Sequence, residues 1–333
     1  MKKNRIDSID IFRGIGIIIM VMGHVYFGVT FDHFIHAFHM PMFYFVSGMF
    51  FNDKQAEKTT VVSYVTRKVR TLIIPYVFFA ILHYLIWVKW NRENDGVDLL
   101  LPLTYIFGVN TYELPIAGAL WFLTSLFLTE IMYFMMVVFI KNRKVFLVLV
   151  IVMALFGNAE LYIFETQLPF AIGAAFVGLG LYHIGHLLFS NREKAFVRWL
   201  FNRPLTVSVA CGGIITVLIF KNGCINMRAS DYAVVPLFWM NAIGSIIVGI
   251  NISKWLDKKL PDPIKSIFTF IGKNSIVYVC LNQLVIHVVL VRMQRVCSYE
   301  YLCKILSMPL ILFILGICCL VMNKTFLRKI IGR

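Results

Sequence analysis

A chain of 333 residues that is 59% hydrophobic and only 15% charged, with a mean hydropathy of +0.79, is too apolar for a soluble domain and is expected to be a polytopic membrane protein. The formal net charge of +15 would suit nucleic acid, but the basic residues come in short clusters between apolar runs, as in cytoplasmic loops, so no nucleic-acid partner is expected. Of the seven cysteines, Cys211, Cys280, Cys318 and Cys319 fall inside apolar runs, where they read as small hydrophobes, and no disulfide framework is expected.

Apolar runs lie near 11–30, 34–51, 71–90, 116–140, 145–159, 167–189, 205–220, 232–252, 267–291 and 302–323. They predict an all-α bundle of about ten transmembrane helices in a single membrane-embedded domain over residues 1–333. The first run lacks a small-residue cleavage site and is followed at once by another, so it is expected to stay attached. Most basic residues occupy alternate gaps: Arg67, Lys68 and Arg70 in one, Lys141, Arg143 and Lys144 in the next. The opposite gaps hold only Lys89, Arg92, Lys221, Arg228, Arg292 and Arg295. The positive-inside bias therefore predicts that both termini are cytoplasmic.

In chain order, the first run carries two ionisable groups, Arg13 and His24. Eleven positions at ~100° each bring a helix back to within about 20° of its starting azimuth, so they share a face roughly 16 Å apart. The second run opens with His36-Ala37-Phe38-His39-Met40-Pro41. A turn is expected near Phe31-Asp32, which would put His24 and His39 at a similar depth, about 10 Å below the outer surface. The cluster Arg67-Lys68-Val69-Arg70 at the start of the third run is either a topology anchor for lipid head groups or an anion-binding mouth for phosphates. The outer gap at about 89–115 holds Glu93, Asp95, Asp98 and Glu113 beside Trp87 and Trp90, which suits a solvated loop or a carbohydrate surface. In the fourth run Trp121 reads as an interfacial aromatic, whereas Glu130, about 15 Å from the cytoplasmic cluster at Lys141, must be paired, protonated or facing a cavity. Ser275, Tyr278 and Asn282 form a polar stripe on the ninth run, either interhelical hydrogen bonds or a cavity wall.

Intramembrane ionisable groups are functional candidates. A buried neutral imidazole at His24 suits a general base, and Arg13, which keeps its charge, must meet an anion, a carbonyl or water, or snorkel to the cytoplasmic surface. Two other classes of function fit the same residues. A transporter or flippase of a glycan precursor would also carry midmembrane Arg and His, although no paired half-helices are visible. A metal site drawn from His24, His33, His36 and His39 would lack Cys and any carboxylate partner except Asp32.

Arg13, ten intervening residues and His24, followed by Phe38-His39-Met40-Pro41-Met42-Phe43-Tyr44-Phe45-Val46-Ser47-Gly48, resemble the acyltransferase family 3 membrane enzymes, especially the branch of fucose 4-O-acetylases. Arg67 to Tyr76, Leu120-Trp121-Phe122-Leu123 and Ile271-Gly272-Lys273-Asn274-Ser275 through Asn282-Gln283 look like later landmarks of that family. The resemblance implies a multi-pass enzyme of the inner (plasma) membrane that moves an acetyl or other short acyl group from acyl-CoA, usually acetyl-CoA, to a hydroxyl of a sugar or cell-surface glycan. On that reading His24 is the general base. Arg13, Arg67, Lys68 and Arg70 hold the CoA phosphates or orient its pantetheine arm, His39, Trp121 and Asn282 line the acceptor pocket or stabilise the oxyanion, and Glu130 is counted with the acceptor-binding residues. Acyl-CoA, a glycan acceptor and membrane lipid are the expected partners, and no metal is expected.

Overall fold

The computed structural model describes residues 7–94, 96–108 and 118–332. Asp95 and Glu113 of the acidic outer gap, and the basic residues Lys2, Lys3, Arg5 and Arg333, lie outside the described residues. Among those described the chain is helical, with one isolated extended bridge between Asn226 and Asp231. We label the main helices α1 (Asp7–Val25), α2 (Val29–His36), α3 (Pro41–Met49), α4 (Val61–Asn91), α5 (Trp121–Phe139) and α6 (Arg143–Phe164). They continue as α7 (Ile172–Ser190), α8 (Leu205–Lys221), α9 (Val235–Lys259), α10 (Asp262–Lys273), α11 (Ser275–Met293) and α12 (Glu300–Lys324).

Eight of these stretches are long and apolar enough to cross a bilayer. The 17-residue α8 is shorter, matching the short run at 205–220. Two expectations need correction. The first turn lies at Tyr26–Gly28, before Phe31 and Asp32, which are inside α2. Tyr26 at φ 62° and Gly28 at φ 113° leave the helical region, and glycine tolerates that backbone best. The second run is also broken rather than continuous. α2 ends at His36 and α3 starts at Pro41, whose missing N–H and ring suit the first position of a helix and disfavour its interior. The ninth run breaks likewise at Asn274, between α10 and α11.

The chain divides into two compact units, the first formed by Met1–Phe51, Leu181–Met227 and Asp231–Ser275. Here glycines let backbones touch. A methyl on Gly14 would overlap the Phe268 carbonyl, and one on Gly272 would overlap the Asp10 carbonyl, which sets α1 antiparallel to α10 at close approach. The same reciprocal pattern joins α3 to the end of α7: Gly48 faces the Tyr182 carbonyl and Gly185 the Phe45 carbonyl. Gly272→Ala is expected to destabilise the protein by about 1–3 kcal/mol, because the neighbour in the way is main chain and cannot rotate aside. Detergent-solubilised thermal unfolding checks this, and an unchanged melting temperature would refute the close packing.

The second unit comprises Asn52–Gly180, Arg228–Ser230 and Ile276–Arg333. In it α4 runs antiparallel to α5: Tyr64 stacks on Phe134 at 3.9 Å between ring centroids, and four residues further along α4 Lys68 meets Glu130, four residues back along α5. Residues Val69–Ile73 of α4 form a π-helical turn just before Pro75. The proline has no N–H to continue the α-ladder, and the wider turn accommodates it. On α6, Leu147, Val148, Ile151, Val152 and Leu155 are exposed at helical spacing, an apolar stripe suited to lipid. Its opposite face buries Glu160, whose carboxylate accepts from Ser230 Oγ and from the Leu168 N–H, both at 2.5 Å.

Candidate functional site

In the first unit Arg13 lies in the second turn of α1 and His24 in its last. Arg13 Nη2 donates to Ser275 Oγ at 2.7 Å, and its Nη1 lies 3.8 Å from Asp10 Oδ1. Ser275 opens α11, so the break after Asn274 is what presents a hydroxyl to the guanidinium. His24, in the last turn of α1, is half-buried.

His39 is buried, with 6% of its surface exposed, and its Nδ1 lies 2.8 Å from the Ile35 carbonyl. A carbonyl only accepts, so Nδ1 carries the proton and donates, and Nε2 of the neutral ring is left as an acceptor. His36 repeats the arrangement, with Nδ1 donating to the Asp32 carbonyl at 2.7 Å and Asp32 Oδ1 at 3.5 Å. The His36 and His39 rings meet edge to face at 4.9 Å. The end of α2 and its break before α3 thus gather two imidazoles and one carboxylate, those of His36, His39 and Asp32. Among the described residues no group of three or more His, Cys, Asp or Glu is placed to hold a metal ion.

The second unit holds the remaining candidates. Lys68 Nζ and Glu130 Oε2 form an ion pair at 2.6 Å, with the carboxylate 9% and the lysine 20% exposed. This supplies the pairing that an acid midway along an apolar helix requires. Tyr64 lies beneath both cations, its ring centroid 5.0 Å from the Arg67 guanidinium and 5.5 Å from Lys68 Nζ. Arg67 and Arg70 are exposed, Arg67 at the end of the regular helix and Arg70 in the π-helical turn. Of the three basic candidates here, the two arginines face outward while Lys68 is turned to Glu130.

Trp121 is buried at the first position of α5. Just before it, the Ala119 N–H donates to Gln283 Oε1 of α11 at 3.3 Å, and a methyl on Gly118 would run into the Arg228 guanidinium. Asn282 is fully buried. Its amide nitrogen donates to the Tyr278 and Val279 carbonyls at 3.0 and 2.7 Å, and its Oδ1 has no hydrogen-bond partner among the described residues.

His36, a candidate in the sequence only as a metal ligand, takes its place beside His39 from the break between α2 and α3. His83, not among the sequence candidates, lies in the middle of an apolar helix and carries the same intramembrane signal as His24. All seven cysteines, including Cys224 and Cys297, are free thiols. Burial, Asp32 and Asp231 together push the Cys224 thiol above its usual range.

No curated protein and no solved structure matches the chain. A family model does: that of acyltransferase family 3, described as an acyltransferase domain, covers residues 6–322, and the chain therefore belongs to this family of membrane acyltransferases.

Proposed function

We propose that the protein transfers an acetyl or other short acyl group from acyl-CoA to a hydroxyl of a sugar or cell-surface glycan, as a multi-pass enzyme of the plasma membrane with both termini in the cytoplasm. The observation that carries the reading is the acyltransferase match over residues 6–322, which takes in a half-buried His24 in the last turn of α1 and a buried His39 whose Nδ1 is held by the Ile35 carbonyl. Family membership favours group transfer over transport.

In the proposed reaction His24 removes the proton of the acceptor hydroxyl. The oxygen attacks the thioester carbonyl carbon, the C–S bond breaks, and the departing CoA thiolate takes the proton back from His24. His39, with its Nδ1 hydrogen held by Ile35, offers Nε2 to a second hydroxyl of the acceptor. Trp121 and Asn282 contribute to the acceptor site. Glu130 acts through Lys68, so the anion-binding role falls mainly to Arg67 and Arg70, whose exposed guanidinium forks match phosphate oxygens. Arg13 supports the donor's phosphates or its pantetheine carbonyls.

Acetyl-CoA binding to purified variants tests the division of labour. Arg13→Lys keeps the charge and loses the fork, so affinity is expected to fall ~10-fold or more, the size of one charge-assisted hydrogen bond. His24→Ala should bind the donor normally. Wild-type affinity in Arg13→Lys would return that residue to a structural role, bonded to Ser275, and leave the donor to Arg67 and Arg70. The proposed sidedness is checked separately. Lys58→Cys should resist an impermeant thiol reagent on intact cells, and its labelling would overturn the topology.

A further inference from the structure

We propose that His83 is a hydroxyl-binding residue of the acceptor site, acting together with Asn282. The inference rests on the acyltransfer reading above, with a hydroxylated acceptor. His83 lies on the buried face of α4 with Pro75, Tyr76, Phe79 and Ala80, and only 1% of its surface is exposed. Both its ring nitrogens are buried without a hydrogen-bond partner among the described residues, as is Asn282 Oδ1. Unmade hydrogen bonds of fully buried groups are costly, and an imidazole with both nitrogens so placed points to a polar ligand.

The helices bring these atoms to one level. Trp90 of α4 and His287 of α11 pack ring against ring at 4.9 Å. The pairs Tyr64 with Phe134 and Lys68 with Glu130, continued along α5, put Ala119 level with Phe79, and Ala119 is hydrogen-bonded to Gln283. Moving outward from Gln283 to His287 therefore means moving from about Phe79 toward Trp90, so α4 and α11 run parallel. Counted back from the Trp90–His287 contact at about 1.5 Å per residue, His83 lies about 10 Å and Asn282 about 8 Å below it, at nearly the same level.

Their chemistry is complementary to a hydroxyl. A neutral imidazole offers one N–H donor and one acceptor nitrogen, and Asn282 Oδ1 is a pure acceptor, because its amide nitrogen is already bonded within α11. One sugar hydroxyl can accept from His83 and donate to Asn282, while a neighbouring hydroxyl donates to the second ring nitrogen. An apolar acyl chain would leave all three atoms unsatisfied.

The test compares wild type, His83→Phe and His83→Gln as purified full-length proteins. The probe is surface glycan extracted from cells lacking the protein, and the readouts are glycan-induced thermal shift and acetyl transfer from acetyl-CoA. His83→Phe is expected to fold with an unchanged or higher melting temperature, because it removes unpartnered polar atoms and keeps a ring. Its KM for glycan should rise at least ~10-fold, with acetyl-CoA affinity unchanged, and His83→Gln should recover part of the loss. Equal glycan stabilisation of wild type and His83→Phe overturns the assignment, as it would if the ring binds only water. A lack of any glycan effect on wild type overturns it too. Glycan binding that depends on His83 but is never followed by acetyl transfer keeps this site and overturns the acetyl-transfer reading instead.

Discussion

Replacing His24 with alanine is expected to reduce acyl transfer by ~10²-fold or more while leaving a folded, membrane-inserted protein. The change removes the proposed base, adds no charge to the bilayer, and falls on a half-buried residue in the last turn of α1, where little packing is lost. His39 supplies the control. Its Nδ1 hydrogen bond to Ile35 and its burial make it a positioned ring. If His24 is the base, His39→Ala should raise the acceptor KM more than it lowers kcat. Transfer kinetics on both purified variants decide the matter: wild-type turnover in His24→Ala together with loss in His39→Ala would move the base to His39.

The largest effect on stability is expected at Lys68. Lys68→Met leaves Glu130 buried on α5 without its countercharge, and breaking such a pair by removing one partner costs about 3–5 kcal/mol. The double variant Lys68→Met with Glu130→Leu removes both charges and should recover most of that loss, because two apolar side chains of similar volume need no solvation. Denaturant or thermal unfolding of the single and double variants gives the comparison. Equal destabilisation in both would mean that packing of the lysine stem, and not the ion pair, holds the helices. The same pair of variants bears on function: acetyl-CoA affinity should survive in the double variant if Arg67 and Arg70 carry the phosphate contacts.

Much of the helical layout was legible as runs of apolar residues, because a bilayer-spanning helix satisfies its backbone internally and has only to be long and apolar. The breaks were harder. Asp32 and His33 look like turn residues by polarity, yet they continue α2, and the chain turns at Tyr26–Gly28 instead. Gly28 was the available signal. Pro41 likewise marked the start of a helix inside what hydropathy read as one run, and Asn274 hid a second break of the same kind. For the candidate site, residue type was informative and partnership was not. That Glu130 needed a partner followed from its place in an apolar run, but that the partner is Lys68 depends on the register between α4 and α5, which no local pattern encodes. Ser275 was visible as part of a polar stripe, and its bond to Arg13 depends on the packing of α1 against α10.

The π-helical turn at Val69–Ile73 has a consequence for how α4 tolerates changes in length. A wide turn holds one residue more than a regular turn, so the helix on either side keeps its angular phase as though that residue were absent. Deleting a single residue within Val69–Ile73 would let the turn close to regular geometry, with the Pro75 ring then pressing on the carbonyl four positions earlier. Lys68 would still face Glu130, and His83 would still point inward. The same deletion between Tyr76 and His83 has no such slack. It would swing everything beyond it by ~100°, carrying His83 out of the interior and Trp90 away from His287.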